Sequence, residues 1–471
     1  MELARSKYNF FVERPQGVIA YNARTGVFAL LSRAVADCLR SNDRLPGLKD
    51  KDEAELVEQG FVHFGDELAE IKALFEQQRS MPNHVHVTIV PTLACNYECP
   101  YCFQNECRSS RMMSQATKEA ALRWIRHWIT ADRREVLITW FGGEPLLCKR
   151  IVLDTSRELR ELAGTAGARL ELTIVTNGIL LDSTTAQDLA ASGISSAQIT
   201  IDCLVYDGCH TRGVVDSAGQ PSQIIANACE ARKYLRIGVR VNVSSDNRRD
   251  LPQIVKTLRA YGFSGELRLA RVHDFRSEGY ELIRDKQLRR TDQEGSRSIA
   301  QPAGATRQAP DLCGHGLDLP RDAYARVEKE VVLDSPDGLL VMIEKLRPKG
   351  QFCSATGKHM FVIDPVGNIS RCWHSAGSQA EALGNVYDDA RHAMLQDSAA
   401  AKGWKNYSPF RFGECVRCKV LPLCMGGCSH DRVWISGAKP PCESINQQIQ
   451  YCVDRVAEHI AITEEQLALV S

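Results

Sequence analysis

The run Pro91-Thr92-Leu93-Ala94-Cys95-Asn96-Tyr97-Glu98-Cys99-Pro100-Tyr101-Cys102 follows an apolar alternation from His84 to Val90. Alternation with period two reads as a β-strand, so the three cysteines occupy the loop that leaves it. They stand three and then two residues apart. Thiolates at that spacing can reach three corners of a cubane iron–sulfur cluster. The fourth iron is then left without a protein ligand, and an open metal position is what a catalytic site keeps. A structural zinc site would more naturally draw four ligands from two C-x-x-C knuckles.

Val136 to Trp140 reads as the next strand, and it closes on Trp140-Phe141-Gly142-Gly143-Glu144-Pro145. Gly142 and Gly143 free the backbone to approach a ligand closely. Pro145 fixes the exit of the turn, and Glu144 offers an acceptor for an ammonium group. Further strands are expected at Leu170–Val175, Ser196–Ile201, Val239–Val243 and Leu267–Leu269, with helical patterns such as Thr117 to Ile129 and Ile224 to Tyr234 between them. Repeating strand–helix units imply parallel pairing with helices outside, and chemistry at the carboxyl ends of the strands. Asn177, in Thr176-Asn177-Gly178, follows the third strand, and Asp202 follows the fourth. On the fifth, Arg240 and Asn242 alternate with Val239, Val241 and Val243, which lets Asn242 point inward.

At 471 residues the chain exceeds what one compact core needs, so two or three domains are expected. With 44% hydrophobic and 25% charged residues it reads as globular. Lys+Arg and Asp+Glu both number 58, so no net field favours nucleic acid or an anionic membrane. No stretch is long and apolar enough to span a bilayer, and Met1 to Lys7 lacks an apolar signal core, so a cytoplasmic location is expected. Eighteen cysteines would be odd as disulfides in a reducing compartment. Seven of them form a framework in the last quarter: Cys353, Cys372, Cys415, Cys418, Cys424, Cys428 and Cys442. Clustered thiols in a cytosolic enzyme point to metal. Cys38, Cys107, Cys148, Cys203, Cys209 and Cys229 are scattered and read as free thiols.

Ahead of the alternating region, Tyr8–Val12 and Val18–Tyr21 read as strands, with a hairpin turn at Asn22-Ala23-Arg24-Thr25-Gly26. Helical patterns follow at Ala34–Leu39, Glu53–Gln59 and Leu68–Gln78. Behind it, Gln293 to Pro310 is dominated by Gly, Ser, Arg, Gln and Pro and reads as a flexible linker, with Cys313 at its end.

The cysteine loop with its bulky Tyr101, and the Gly-Gly-Glu-Pro segment after the second strand, resemble those of the radical S-adenosylmethionine (radical SAM) enzymes. The resemblance implies an α/β fold, a partial (β/α)6 barrel. It also implies a [4Fe–4S] cluster on Cys95, Cys99 and Cys102, whose open iron chelates the amino and carboxylate groups of SAM. An electron then cleaves SAM to methionine and a 5′-deoxyadenosyl radical. Tyr101 would bring its backbone near the adenine, and Gly142, Gly143, Glu144, Asn177, Asp202 and Asn242 would contribute SAM contacts. The C-terminal framework, including Gly367 between its first two cysteines, is similar to the SPASM domain, which holds auxiliary [4Fe–4S] clusters. By that likeness Cys353, Cys372 and Cys428 serve an inner cluster, with Cys313 as its candidate fourth ligand. Cys415, Cys418, Cys424 and Cys442 serve an outer one, with Cys452 as the alternative to Cys442. The N-terminal module resembles the leader-peptide recognition domain of radical SAM peptide (RiPP) maturases; a plain cap on the barrel is the alternative. The implied organisation is recognition module 1–79, barrel 80–275, linker 276–322 and SPASM domain 323–471.

The function so implied is an oxidoreductase that cross-links side chains of a ribosomally made precursor peptide by a thioether, C–C or ether bond. An external flavodoxin- or ferredoxin-type protein would donate electrons. A sulfatase-maturing enzyme, which makes formylglycine, is a nearby alternative. Those relatives place an Asp after the second auxiliary cysteine, whereas Trp373 follows Cys372 here, and indole cannot accept a proton. Asp364 or His374 would then have to act as base. A non-catalytic electron carrier or scaffold would need neither the Gly-Gly-Glu-Pro segment nor a three-cysteine loop.

Overall fold

Residues 3–41, 50–81, 83–104, 108–130, 135–205, 212–263, 267–272, 321–333, 338–388, 399–434 and 442–460 are described by a computed structural model. Most of the expected linker and Cys107, Cys209 and Cys313 lie outside the described residues.

The N-terminal module is built from β1 (Leu3–Arg5), β2 (Asn9–Arg14), β3 (Gly17–Asn22), β4 (Val27–Leu31), α1 (Arg33–Arg40), α2 (Asp50–Gln59), β5 (Val62–Phe64) and α3 (Glu67–Ser80). Strands β2, β3 and β4 form an antiparallel meander, and β1 pairs antiparallel with β5. The turn expected after Tyr21 is an Asx turn: buried Asn22 accepts from the backbone N–H of Arg24 (2.9 Å) and Thr25 (3.0 Å). Its amide group also donates to the Gly60 carbonyl at 2.8 Å, tying the hairpin to the chain before β5.

The barrel follows. Strand β6 (His84–Ile89) leads through α4 (Gln115–Trp128) to β7 (Glu135–Trp140), and α5 (Lys149–Ala166) leads to β8 (Arg169–Thr176). Then come α6 (Ser183–Ala191), β9 (Ile194–Ile201), a short parallel pair β10 (Cys203–Val205) and β11 (Gly213–Val215), α7 (Gln223–Ala231), β12 (Arg236–Val243), α8 (Leu251–Ala260) and β13 (Leu267–Arg271). The order β13-β12-β9-β8-β7-β6 is parallel throughout, which is the expected partial (β/α)6 barrel. Helix starts are fixed by side-chain caps at Ser114, Asp182 and Ser222, each accepting a backbone N–H one turn in.

Strand alternation assigns the two faces. Ile237, Val239, Val241 and Val243 of β12 join Ile224, Ile225, Ile254 and Leu258 in the core between sheet and helices. Each such side chain contributes about 1.5–3 kcal/mol on burial. The intervening Arg240 and Asn242 are left for the barrel interior, where neighbouring strands also place Thr200, Gln198 and Thr176. Polar residues on that face are affordable only where a cavity or a partner receives them.

The C-terminal region adds β14 (Met360–Ile363), β15 (Asn368–Ser370) and β16 (Gly384–Asn385). Strand β14 pairs in parallel with β6, Val362 opposite Thr88, so one nine-stranded sheet spans the barrel and the cysteine-rich region. The N-terminal module packs against this C-terminal region, and Leu269 of β13 touches the same core. Tyr8, Phe10, Tyr21 and Ile71 share a core with Met342, Leu421, Leu423, Ile449 and Val453. No helix among the described residues is long and apolar enough to cross a membrane.

Candidate active site

The cysteine loop is held from both sides by backbone. On one side, Phe141 N–H donates to Ile89 O (3.0 Å), Gly143 N–H to Thr92 O (3.1 Å) and Glu144 N–H to Ala94 O (2.9 Å). This contact explains the two glycines. Gly142 has φ 131°, and a Cβ there would lie 2.4 Å from Thr92 O; at Gly143 it would lie 2.1 Å from Ala94 O. The close approach they permit is therefore to the cysteine loop itself, and both also line the cavity it borders. On the other side, Arg108 donates to the carbonyls of Cys95 (2.7 Å) and Tyr97. Thr92 accepts from Ala94 N–H and donates to Arg111 O, each at 3.0 Å, closing the loop's first turn.

In the structure Glu144 is engaged with the chain's own groups. It is fully buried, caps the turn at Leu146 N–H (3.0 Å), and accepts from the Thr176 hydroxyl and the Asn177 N–H, both at 2.8 Å. Burial pushes its carboxyl up, against those three hydrogen bonds. It fastens the end of β8 to the end of β7 and is not among the residues lining the cavity. Asn177 does line it; its amide group donates to Asn96 at 2.7 Å and lies 3.9 Å from Cys95 Sγ.

Tyr101 anchors a polar hub. Its hydroxyl donates to Asp202 and accepts from Arg212 and from Asn242, the last at 3.2 Å. Arg212 grips Asp202 with two nitrogens, Nε to Oδ2 at 2.7 Å and Nη2 to Oδ1 at 3.0 Å. Asp202 is thus the counter-ion of Arg212, and the cavity is lined by Arg212 rather than by the carboxylate. This hub ties the middle of the cysteine loop to the ends of β9 and β12, and a planar two-point pair fixes it in orientation as well as distance.

The cavity between loop and barrel has a volume of about 470 Å³, within the range of small-molecule sites. Cys95, Cys99 and Cys102 line it, and so do Cys353, Cys372 and Cys428. Burial pushes the Cys372 thiol well above its ordinary value, and Cys353 and Cys428 push it further. The other four framework cysteines form a second neighbourhood: Cys415 feels Cys424 and Cys442, and Cys424 feels Cys418 and Cys442. Cys452 lies apart, completely buried, with Lys345 and Glu328 as its charged neighbours. Trp373 bridges the barrel and the first group, stacked on Phe141 at 4.2 Å with its indole N–H on the Thr88 hydroxyl at 2.9 Å. Asp364 is a turn residue, accepting from Val366 and Asn368, whereas His374 faces the cavity against Phe103, ring centroids 4.1 Å apart.

Residues 89–258 match the family model of the Radical SAM superfamily. That stretch is a radical SAM domain. A probable GTP 3′,8-cyclase of Methanopyrus kandleri is 32% identical over 174 residues, 36% of this chain and 52% of that protein. The radical SAM cyclopropyl synthase TigE of Paramaledivibacter caminithermalis is 29% identical over 147 residues, 27% of this chain and 30% of that protein. The chain thus spans about half or less of the length of these curated relatives. The solved structure of native anSMEcpe with bound AdoMet and Kp18Cys peptide superposes with a TM-score of 0.56 at 18% identity, over 80% of this chain and 98% of that one, a likeness of fold.

A radical SAM domain implies SAM and a [4Fe–4S] cluster, and the residues present suit both. Three thiols face one cavity from a single loop, with no competing carboxylate or imidazole in the loop's lining. Among the described residues no three His, Cys, Asp or Glu side chains are gathered as a lone metal ion requires. A cubane is different, because its thiolates bind separate irons and stand apart. Burial pushes Cys99 up to about 12, so loading must displace its proton. Arg212, the largest opposing influence on Cys99, favours the thiolate.

Sequence reasoning missed the arginines. Arg108, Arg212, Arg240, Arg271 and Arg371 all line the cavity of a chain with no net charge. Composition hides them because a net count does not say where on the molecule the charges sit. Strand alternation around Arg240 was the one signal that could have found any of them.

Proposed function

We propose that this protein is a radical SAM enzyme that modifies a ribosomally made precursor peptide, by cross-linking two of its side chains. The observation that carries the reading is the shared cavity: the radical SAM cysteines and Cys353, Cys372 and Cys428 line one space of about 470 Å³. When bound, SAM with a [4Fe–4S] cluster on Cys95, Cys99 and Cys102 would supply a carbon radical able to abstract hydrogen, and auxiliary clusters on the C-terminal cysteines would accept the second electron. The remaining tasks belong to the chain. Such a radical takes hydrogen from almost any C–H bond, so selectivity must come from positioning. Phe141 and Trp373 form an apolar wall that holds a side chain and excludes water, while Asn177, Arg212 and Asn242 offer polar groups from the strand ends.

The N-terminal meander supports a recognition role, since a leader docked beside it would raise the local concentration of the core peptide. TigE and anSMEcpe, the latter with its bound peptide, give the reading company, and Trp373 in the place of an acidic base speaks against formylglycine formation. The test is direct. Anaerobic reconstitution should load about twelve irons per chain as three clusters. Replacing Cys95, Cys99 and Cys102 together by Ala should remove about four of them and abolish production of 5′-deoxyadenosine. Cleavage of SAM by that triple variant would end the radical SAM assignment. Co-production with short peptides encoded beside the gene, followed by mass spectrometry for loss of hydrogen, tests the peptide assignment.

A further inference from the structure

The basic lining of the cavity says something about the substrate. Five arginines face it, and among the described residues that line it there is no Asp or Glu. Three of the five are already occupied. Arg212 is neutralised by Asp202, Arg108 is spent on the Cys95 and Tyr97 carbonyls, and Arg371 leans on the Gly357 and Met360 carbonyls. Arg240 is not. Its Nε donates to the neutral Asn242 side chain at 2.9 Å, and its two terminal nitrogens have no hydrogen-bond or ion-pair partner among the described residues.

Nearby acids are committed elsewhere. Glu328, the carboxylate beside Tyr324, is shared by Lys345 at 3.1 Å, Gln448 and the Tyr324 hydroxyl at 3.3 Å. Asp202 is closed off by the Arg212 fork and the Tyr101 hydroxyl. Burial weighs against the charge of Arg240, with Arg212 adding like-charge repulsion. A half-buried guanidinium without a counter-ion is costly, and its planar fork matches a carboxylate in two-point geometry. Arg212 donates to Tyr101 of the cysteine loop, whereas Arg240 bonds only Asn242 of its own strand among the described residues, so of the two it is Arg240 that stands away from the loop. Arg240 sits two residues back along β12, on the side toward Tyr324.

We infer that Arg240 is a specificity-determining residue that receives a carboxylate of the substrate peptide, so the segment entering the cavity carries an acidic residue or its own C-terminus there. The inference rests on the peptide reading above and narrows its substrate class. Phe141 and Trp373 give the cavity an apolar stretch of wall that offers a carboxylate no cation.

The experiment uses the reconstituted full-length protein saturated with SAM. Three short probes are titrated by calorimetry: Ac-Gly-Asp-Gly-NH2, Ac-Gly-Asn-Gly-NH2 and Ac-Gly-Gly-Gly-OH. The wild type should prefer the Asp probe or the free C-terminus over the Asn probe by about tenfold or more, as a hydrogen bond to a charged group contributes. Which of the two acids wins identifies the source of the carboxylate. Arg240→Gln should bring that preference to within about twofold. If that variant fails to fold, judged by iron content and circular dichroism, Arg240→Lys decides, because an amine lacks the fork and should lose at least about threefold of the preference. Absence of acid preference in the wild type overturns the proposal outright. A tenfold loss of SAM affinity in Arg240→Gln with the acid preference kept would assign Arg240 to the methionyl carboxylate and also overturn it. The parent reading is scored separately by 5′-deoxyadenosine production, so an acid preference without SAM cleavage would leave this subsite standing and remove the radical reading.

Discussion

Two glycines in one chain can have opposite meanings, and their surroundings decide which. A Cβ at Gly143 would press 2.1 Å from Ala94 O, the carbonyl that precedes Cys95. No rotamer relieves a clash between two backbones, so Gly143→Ala must push the cysteine loop away from the end of β7. The expected outcome is loss of about four irons per chain and of SAM cleavage, read by iron analysis and 5′-deoxyadenosine assay. Gly164 is the contrast: it lies inside α5, and a Cβ there meets nothing within 4 Å. Gly164→Ala should retain all iron and stabilise the protein by roughly 0.5–1 kcal/mol, seen as a raised midpoint in denaturant. The sequence marked Gly142 and Gly143 as special, and their contact with the cysteine loop is one it could not show. Their crowding comes from a loop nearly fifty residues earlier, and such a contact exists only once β6 and β7 are paired.

Strand β6 shows how an element carries consequences for pH. His86 lies on its inner face, hydrogen-bonded to the Thr139 hydroxyl of β7 at 2.9 Å, which in turn accepts from Thr173 of β8 at 3.3 Å. Burial lowers its pKa from 6.5 to about 4, with His84 adding a smaller push. The unfolded chain therefore binds a proton between those values that the folded chain refuses. Stability is fully present above about 6.5 and falls as pH drops toward 4, by at most about 3.5 kcal/mol at roughly 1.4 kcal/mol per unit. His86→Gln should flatten that limb of the stability-against-pH curve, and an unchanged slope would place the acid sensitivity elsewhere. The strands themselves were legible from alternation: all six barrel strands fall within about two residues of the stretches named from the sequence, apart from the start of β12. Strands β1, β5, β10 and β11 were not, because three residues are too few to display a period.

At the scale of the whole molecule, the cysteine groups were readable as spacings, but their convergence was not. The SPASM likeness implies a grouping of Cys353, Cys372 and Cys428; that they border the same cavity as Cys95 follows from β14 joining β6, a pairing between segments far apart in the chain. The attachment of the N-terminal module was equally hidden. A freely separable recognition module would leave the rest of the enzyme intact when removed. Here Tyr8, Phe10, Tyr21 and Ile71 belong to the core that also buries Cys415, Leu421 and Leu423, and Arg79 of α3 donates to the carbonyls of Trp404 and Lys405, each at 3.0 Å. Deleting residues 1–79 would strip one side of that core, expose apolar surface beside Cys415 and Cys424, and leave those carbonyls without their donor. The truncated protein should therefore lose about four irons from the outer cysteine group, in addition to any loss of peptide modification. Cys95, Cys99 and Cys102 are held by β6, β7 and Arg108 and should keep theirs, so residual SAM cleavage should survive at reduced stability. Iron analysis of the truncated protein beside a Cys415→Ala variant separates the two effects. Full iron content in the truncation would show that the module is detachable after all.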